Sequence, residues 1–117
     1  MTGSGPIDWD ALVAKLGDEP GFVADLIGVV IASNATVPEA LRTAARTVDF
    51  PVIERLAHRT KGMAGDVVAI ECHALACDTE VAARNRESVA AEMAERLAAS
   101  LEALLHDAEA YLAHSSR

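Results

Sequence analysis

Apolar residues recur along the 117-residue chain at three- and four-residue intervals rather than in alternation, the period of helices with one buried face. Asp8 precedes Trp9, Leu12, Val13 and Leu16, and Gly17 follows them, a short capped helix closed by glycine. Asp18-Glu19-Pro20 is a second start, with an acidic cap and an early proline. From it Phe22, Leu26, Val29, Val30, Ser33, Val37, Leu41, Ala44 and Val48 keep helical spacing in one long helix. A kink is expected between Asn34 and Pro38, because Pro38 has no N–H to give the Asn34 carbonyl.

Asp49 before Phe50-Pro51 repeats the cap-then-proline start, and Ile53, Leu56, Thr60, Ala64 and Val67 form the apolar stripe of the helix that follows. A turn over residues 66–68 leads into a helix over 69–84, with Cys72, Leu75, Ala76, Thr79 and Ala83 on its main stripe. A weaker apolar set on it comprises Ile70, Cys77 and Val81. Asn85 is placed to cap a last helix reaching about residue 113, with Val89, Met93, Leu97, Ser100, Leu101, Leu104, Leu105, Ala108, Tyr111 and Leu112 inward. Four long amphipathic segments with short connections predict an all-α, antiparallel four-helix bundle, the short first helix closing one end. Residues 1–6 read as a flexible lead, 7–114 as the domain and 115–117 as a polar tail.

Composition supports helices over sheet: 51% of residues are apolar but only 3% are aromatic. The formal charge of −8 leaves no basic stripe for phosphate backbones, which excludes nucleic acid and anionic membrane as partners. With no basic lead before an apolar run and no long uninterrupted apolar stretch, a soluble cytoplasmic protein is expected. Cys72 and Cys77, five apart on one helix, have Cα atoms about 8.5 Å apart, too far for a disulfide. With His73 between them they suggest zinc, but the two thiols face about 140° apart, so no metal site is expected. His106 and His114 read as solvated, and no Gly-rich phosphate loop, His-Glu-x-x-His or Ser elbow is present.

The helix that begins at Phe50 carries the candidate chemistry. With Ile53 at zero on a helical wheel, His58 lies at about 140°, away from the apolar stripe. By the same arithmetic Glu54 lies at about 100°, Lys61 at about 80°, Gly65 at about 120°, Gly62 at about 180° and Arg55 at about 200°. Each glycine within a helix costs about 1 kcal/mol relative to alanine, and on an outward face its simplest reason is that something outside must approach the backbone beside His58. An imidazole with a free lone pair at neutral pH can accept a phosphoryl group, and a lysine one turn on can screen its charge.

The run Leu56-Ala57-His58-Arg59-Thr60-Lys61-Gly62-Met63-Ala64-Gly65 resembles the H-x-x-K-G signature of histidine-containing phosphotransfer (HPt) domains, and the likeness extends across the chain. Thr60, Met63 and the Val30-Ile31 pair depart from the residues usual in that family. The resemblance implies that His58 is the phosphoacceptor, Lys61 its phosphate-facing companion and Gly62 the point where a receiver domain docks. Glu80 and Arg84 resemble positions that flank the active imidazole, and Gly65, Glu54 and Arg55 complete the docking face. The function implied is a phosphoryl carrier between response-regulator receiver domains, or from a hybrid histidine kinase, with Mg²⁺ held by the receiver and no cofactor bound by this chain. Such a carrier is a monomer and is not an autonomous kinase. The rival readings are an unphosphorylated helical adaptor using the same face, and a structural bundle dimerising through Ile70, Cys77 and Val81.

Overall fold

Three of the five long helices carry proline in their first turn. Pro20, Pro38 and Pro51 stand where the amide has no intrahelical partner to lose, and they start helices in the computed structural model, which describes residues 5–17 and 19–115. The helices are α1 (Trp9–Lys15), α2 (Pro20–Asn34), α3 (Val37–Arg46), α4 (Phe50–Asp66), α5 (Ile70–Arg84) and α6 (Val89–Ser115). No strand occurs among the described residues. Asp8 caps α1 by accepting from the Ala11 amide at 3.1 Å, and Asp49 caps α4 by accepting from Val52 at 3.3 Å. Glu19 precedes α2 without a side-chain cap, and Asp18 lies outside the described residues, as do residues 1–4 of the expected lead and residues 116 and 117 of the expected tail. Ser115, expected in that tail, is the last residue of α6.

α6 is the axis of the fold: α2, α3, α4 and α5 all pack against it, while α4 pairs with α5 and α3 with α4. The molecule measures 44 × 21 × 21 Å. Ile27, Leu41, Ile53, Leu97, Leu101 and Leu104 fill the centre, and buried alanines, among them Ala57, Ala64, Ala76 and Ala94, keep the helix axes close. Arg42 of α3 grips Glu102 of α6 with two bonds of 2.7 Å.

The kink expected in a single helix over 20–48 is a break. α2 ends at Asn34 and α3 starts at Val37, with Ala35 and Thr36 between them still in right-handed backbone. Buried Asn34 turns its Nδ2 back to the Val30 carbonyl at 2.9 Å, and Arg59 of α4 donates through Nη2 to the Ser33 carbonyl. The expected stripe on α2 is rotated as well. Val23, Ile27, Val30 and Asn34 face inward, whereas Phe22 and Val29 are 60% and 61% exposed and Ser33 is exposed. α2 carries apolar residues on every side, so periodicity alone does not fix its phase.

α3, α4 and α5 end in one and the same way. A single residue with positive φ (Val48 at 49°, Val68 at 56°, Arg86 at 55°) lets the next amide bond back five residues, from Asp49 to Ala44, Ala69 to Ala64 and Glu87 to Ala82, at 2.8–2.9 Å. The third of these turns corrects the expected start of the last helix. Asn85 is the C-cap of α5, not an N-cap, and α6 begins only at Val89, which is exposed rather than inward. Val48, expected on the apolar stripe, is likewise exposed at its turn.

The segment before α2 is tied down at several points. Ile7 is buried, and its amide and Trp9 Nε1 both donate to Asp107 Oδ2 at 3.3 and 3.1 Å. The Asp8 amide donates to Val68, the Trp9 ring stacks on Tyr111 with centroids 4.4 Å apart, and Lys15 Nζ reaches the Asp66 carbonyl at the end of α4. By length and composition the run Gly21–Arg46 is apolar enough to cross a membrane; here it supplies Val23, Ile27, Val30, Val37 and Leu41 to the core.

Candidate functional site

α4 and α5 run side by side in opposite directions, so outward residues of one meet those of the other turn by turn: Glu54 meets Arg84, His58 meets Glu80, and Gly65 meets His73. Thr60 and Thr79 lie fully buried beneath this seam, each hydroxyl closed onto the carbonyl one turn back.

His58 stands proud of α4 with 68% of its side chain exposed, while its partner Glu80 is 7% exposed. The Glu80 carboxylate takes three donors. Oε2 is 2.8 Å from His58 Nδ1 and 3.0 Å from Arg84 Nη2, and Oε1 is 2.7 Å from Lys61 Nζ. Arg84 also gives its Nε to Glu54 Oε2 at 3.0 Å. The Lys61 hydrogen bond, reinforced by His58, holds the Glu80 carboxyl below the usual glutamate range despite the opposing effect of desolvation. An ionised carboxylate only accepts, so the Nδ1 of neutral His58 carries the proton and Nε2 keeps its lone pair, with no partner among the described residues.

The structure therefore joins five of the expected residues, His58, Lys61, Glu80, Arg84 and Glu54, in one bonded cluster. Arg55 is exposed and forms no bond to it. The two glycines differ. A Cβ at Gly62 would meet nothing within 4 Å, so no packing inside the molecule requires a glycine there. A Cβ at Gly65 would meet the His73 ring at 3.4 Å, ordinary van der Waals contact, so Gly65 has an internal neighbour although packing does not demand a glycine there. Lys61, expected to face solvent and phosphate, is half-buried and bonded to Glu80.

Sequence reasoning missed Arg59 as a tether to α2 and the His73–Cys77 contact, whose sulfur lies 3.8 Å from Nδ1. The second was legible as an i, i+4 pair. Cys72 is buried, and burial pushes its thiol up. Among the described residues no group of three or more His, Cys, Asp or Glu is placed to hold a metal. On the flank of α4 opposite α5, Leu26, Val29, Ser33, Arg59 and Met63 border a groove of 220 Å³. A larger cavity of 500 Å³, lined by Asp8, Ile70, Glu71, Cys72 and Ser100, contains none of the cluster residues.

This cluster can present a neutral imidazole nitrogen as a nucleophile and stabilise the imidazolium formed when that nitrogen is substituted. No family model, curated protein or solved structure matches the chain.

Proposed function

We propose that the chain is a histidine phosphotransfer protein of a two-component relay, carrying a phosphoryl group on His58 between aspartates of response-regulator receiver domains. The observation that carries the reading is the exposed His58 ring held at Nδ1 by a nearly buried carboxylate, one turn from a glycine with open space above it. In this reading the architecture is an antiparallel four-helix bundle. α2 and α3 form one broken arm, α4, α5 and α6 the other three, and α1 is the short addition.

Transfer needs little from this chain beyond placement and charge. The Nε2 lone pair attacks phosphorus, the bond to the receiver's aspartyl oxygen breaks, and its electrons leave with the carboxylate. Nδ1 keeps its proton, and the positive ring that results faces the Glu80 carboxylate. Lys61 and Arg84 balance the added charge from the same side. Mg²⁺ belongs to the receiver's acidic pocket, and the domain, monomeric and cytoplasmic, binds no cofactor of its own.

Incubation with phosphoramidate, followed by mass analysis, tests this directly. One phosphoryl group is expected on His58, lost in acid and stable in base. Label retained by His58→Gln, or label that survives acid, would overturn the assignment. A protein that binds a phosphorylated receiver and never acquires label is an adaptor instead.

A further inference from the structure

Arg84 is shared between two carboxylates of unequal standing. Glu80 is nearly buried and already holds Lys61 and His58, whereas Glu54 is a half-exposed residue whose side chain, among the described residues, bonds to Arg84 Nε at 3.0 Å. With His58 neutral, the cluster holds two positive groups, Lys61 and Arg84, and two negative ones, Glu54 and Glu80, so it is balanced. A phosphoryl group on Nε2 adds about two negative charges, partly offset by the positive ring. It also places them one helical turn beyond Glu54, where like charges repel. Of the two cations, Arg84 is the more exposed and the one held partly by a weak surface pair.

We propose that Glu54 restrains Arg84 in the resting domain, and that Arg84 leaves Glu54 for the phosphoryl oxygens when His58 is modified, so that the pair sets how strongly His58 holds its phosphoryl group. The proposal rests on His58 being the phosphoacceptor. Arg84 keeps its Nη2 bond to Glu80 as a pivot and turns its remaining N–H groups, whose planar fork suits phosphoryl oxygens better than a lysine does. By competing for Arg84, Glu54 favours release, the property a relay carrier needs if the group is to pass on rather than stay.

The test is the equilibrium between phosphoramidate and the protein at fixed ratios of phosphoramidate to ammonia. In this exchange the donor's P–N bond breaks, the bond to Nε2 forms, and ammonia leaves with the proton. Glu54→Gln is expected to raise the phosphorylated fraction, expressed as an equilibrium constant, by about threefold, the size of one exposed ion pair. In an Arg84→Met background the same substitution is expected to have a clearly smaller effect, and in the wild type the Arg84 Nε–H resonance is expected to move on phosphorylation. An equal effect of Glu54→Gln in both backgrounds would leave only direct repulsion and overturn the proposal, as would no effect in either. Failure of the wild type to take label at His58 overturns the phosphoacceptor reading itself, and this proposal with it.

Discussion

Glu80 is one carboxylate serving a ring nitrogen, an ammonium and a guanidinium, and its ionisation is coupled to the fold. Because the Lys61 hydrogen bond and the His58 contact lower its pKa in the native state, its contribution to stability is fully present above the unfolded pKa. That contribution is lost as pH falls through the lower native value. Glu80→Gln is therefore expected to be less stable than the wild type at neutral pH, with the gap closing on acidification below the ordinary glutamate range. Urea unfolding of both proteins across that range measures it, and a gap independent of pH would mean that the charge on Glu80 is not what matters. The same variant should slow phosphorylation of His58, since the ring would lose the anion that fixes its tautomer and balances the imidazolium.

Helices show most clearly what the sequence makes legible. The start of α4, its inward stripe and the outward placement of His58 and Gly62 all follow from a capping aspartate, a proline and a regular period, whereas Lys61 folds back onto Glu80. The convergence of Glu80 and Arg84 on His58 does not follow, because it depends on the register between two helices, and a wheel describes one helix at a time. The turn over 66–68 and the helix end at 84 were legible, but the way α3, α4 and α5 close was opaque for a different reason. Their left-handed residues are Val48, Val68 and Arg86, none of them the glycine or asparagine that usually marks such a turn, and two are β-branched, where positive φ is least expected. α2 escaped because both of its faces are apolar, leaving tertiary packing to choose between them. At this scale substitutions of Gly62 test the proposed docking separately from folding. With open space around it, Gly62→Ala is expected to stabilise the domain by up to about 1 kcal/mol. Gly62→Gln should fold as well as the wild type and take label from phosphoramidate, yet transfer poorly with a receiver, whose aspartate must approach within about 1 Å of its proper place. Thermal unfolding and the two labelling assays compare these outcomes; an unfolded variant would show that the helices themselves need the glycine.

For the whole molecule, α4, α5 and α6 keep the His58–Glu80 cluster on a seam whose underside is closed by Thr60, Thr79 and the alanine-rich core. The segment that includes α1 is held elsewhere, through Asp107, Tyr111 and the α4–α5 turn. Trp9, the single tryptophan of the chain, sits in that attachment, which reaches the end of α4 at Asp66, eight residues beyond His58 or about 12 Å along the helix axis. Intrinsic fluorescence is thus expected to report the lashing of the N-terminal segment and not events at the imidazole. Asp107→Ala, which removes the acceptor shared by Ile7 and Trp9, is expected to shift the emission to longer wavelength while leaving the yield of phosphorylated His58 unchanged. Labelling His58 is expected to leave the spectrum where it was, so an emission change on phosphorylation would reveal a mechanical link between the two ends of α4.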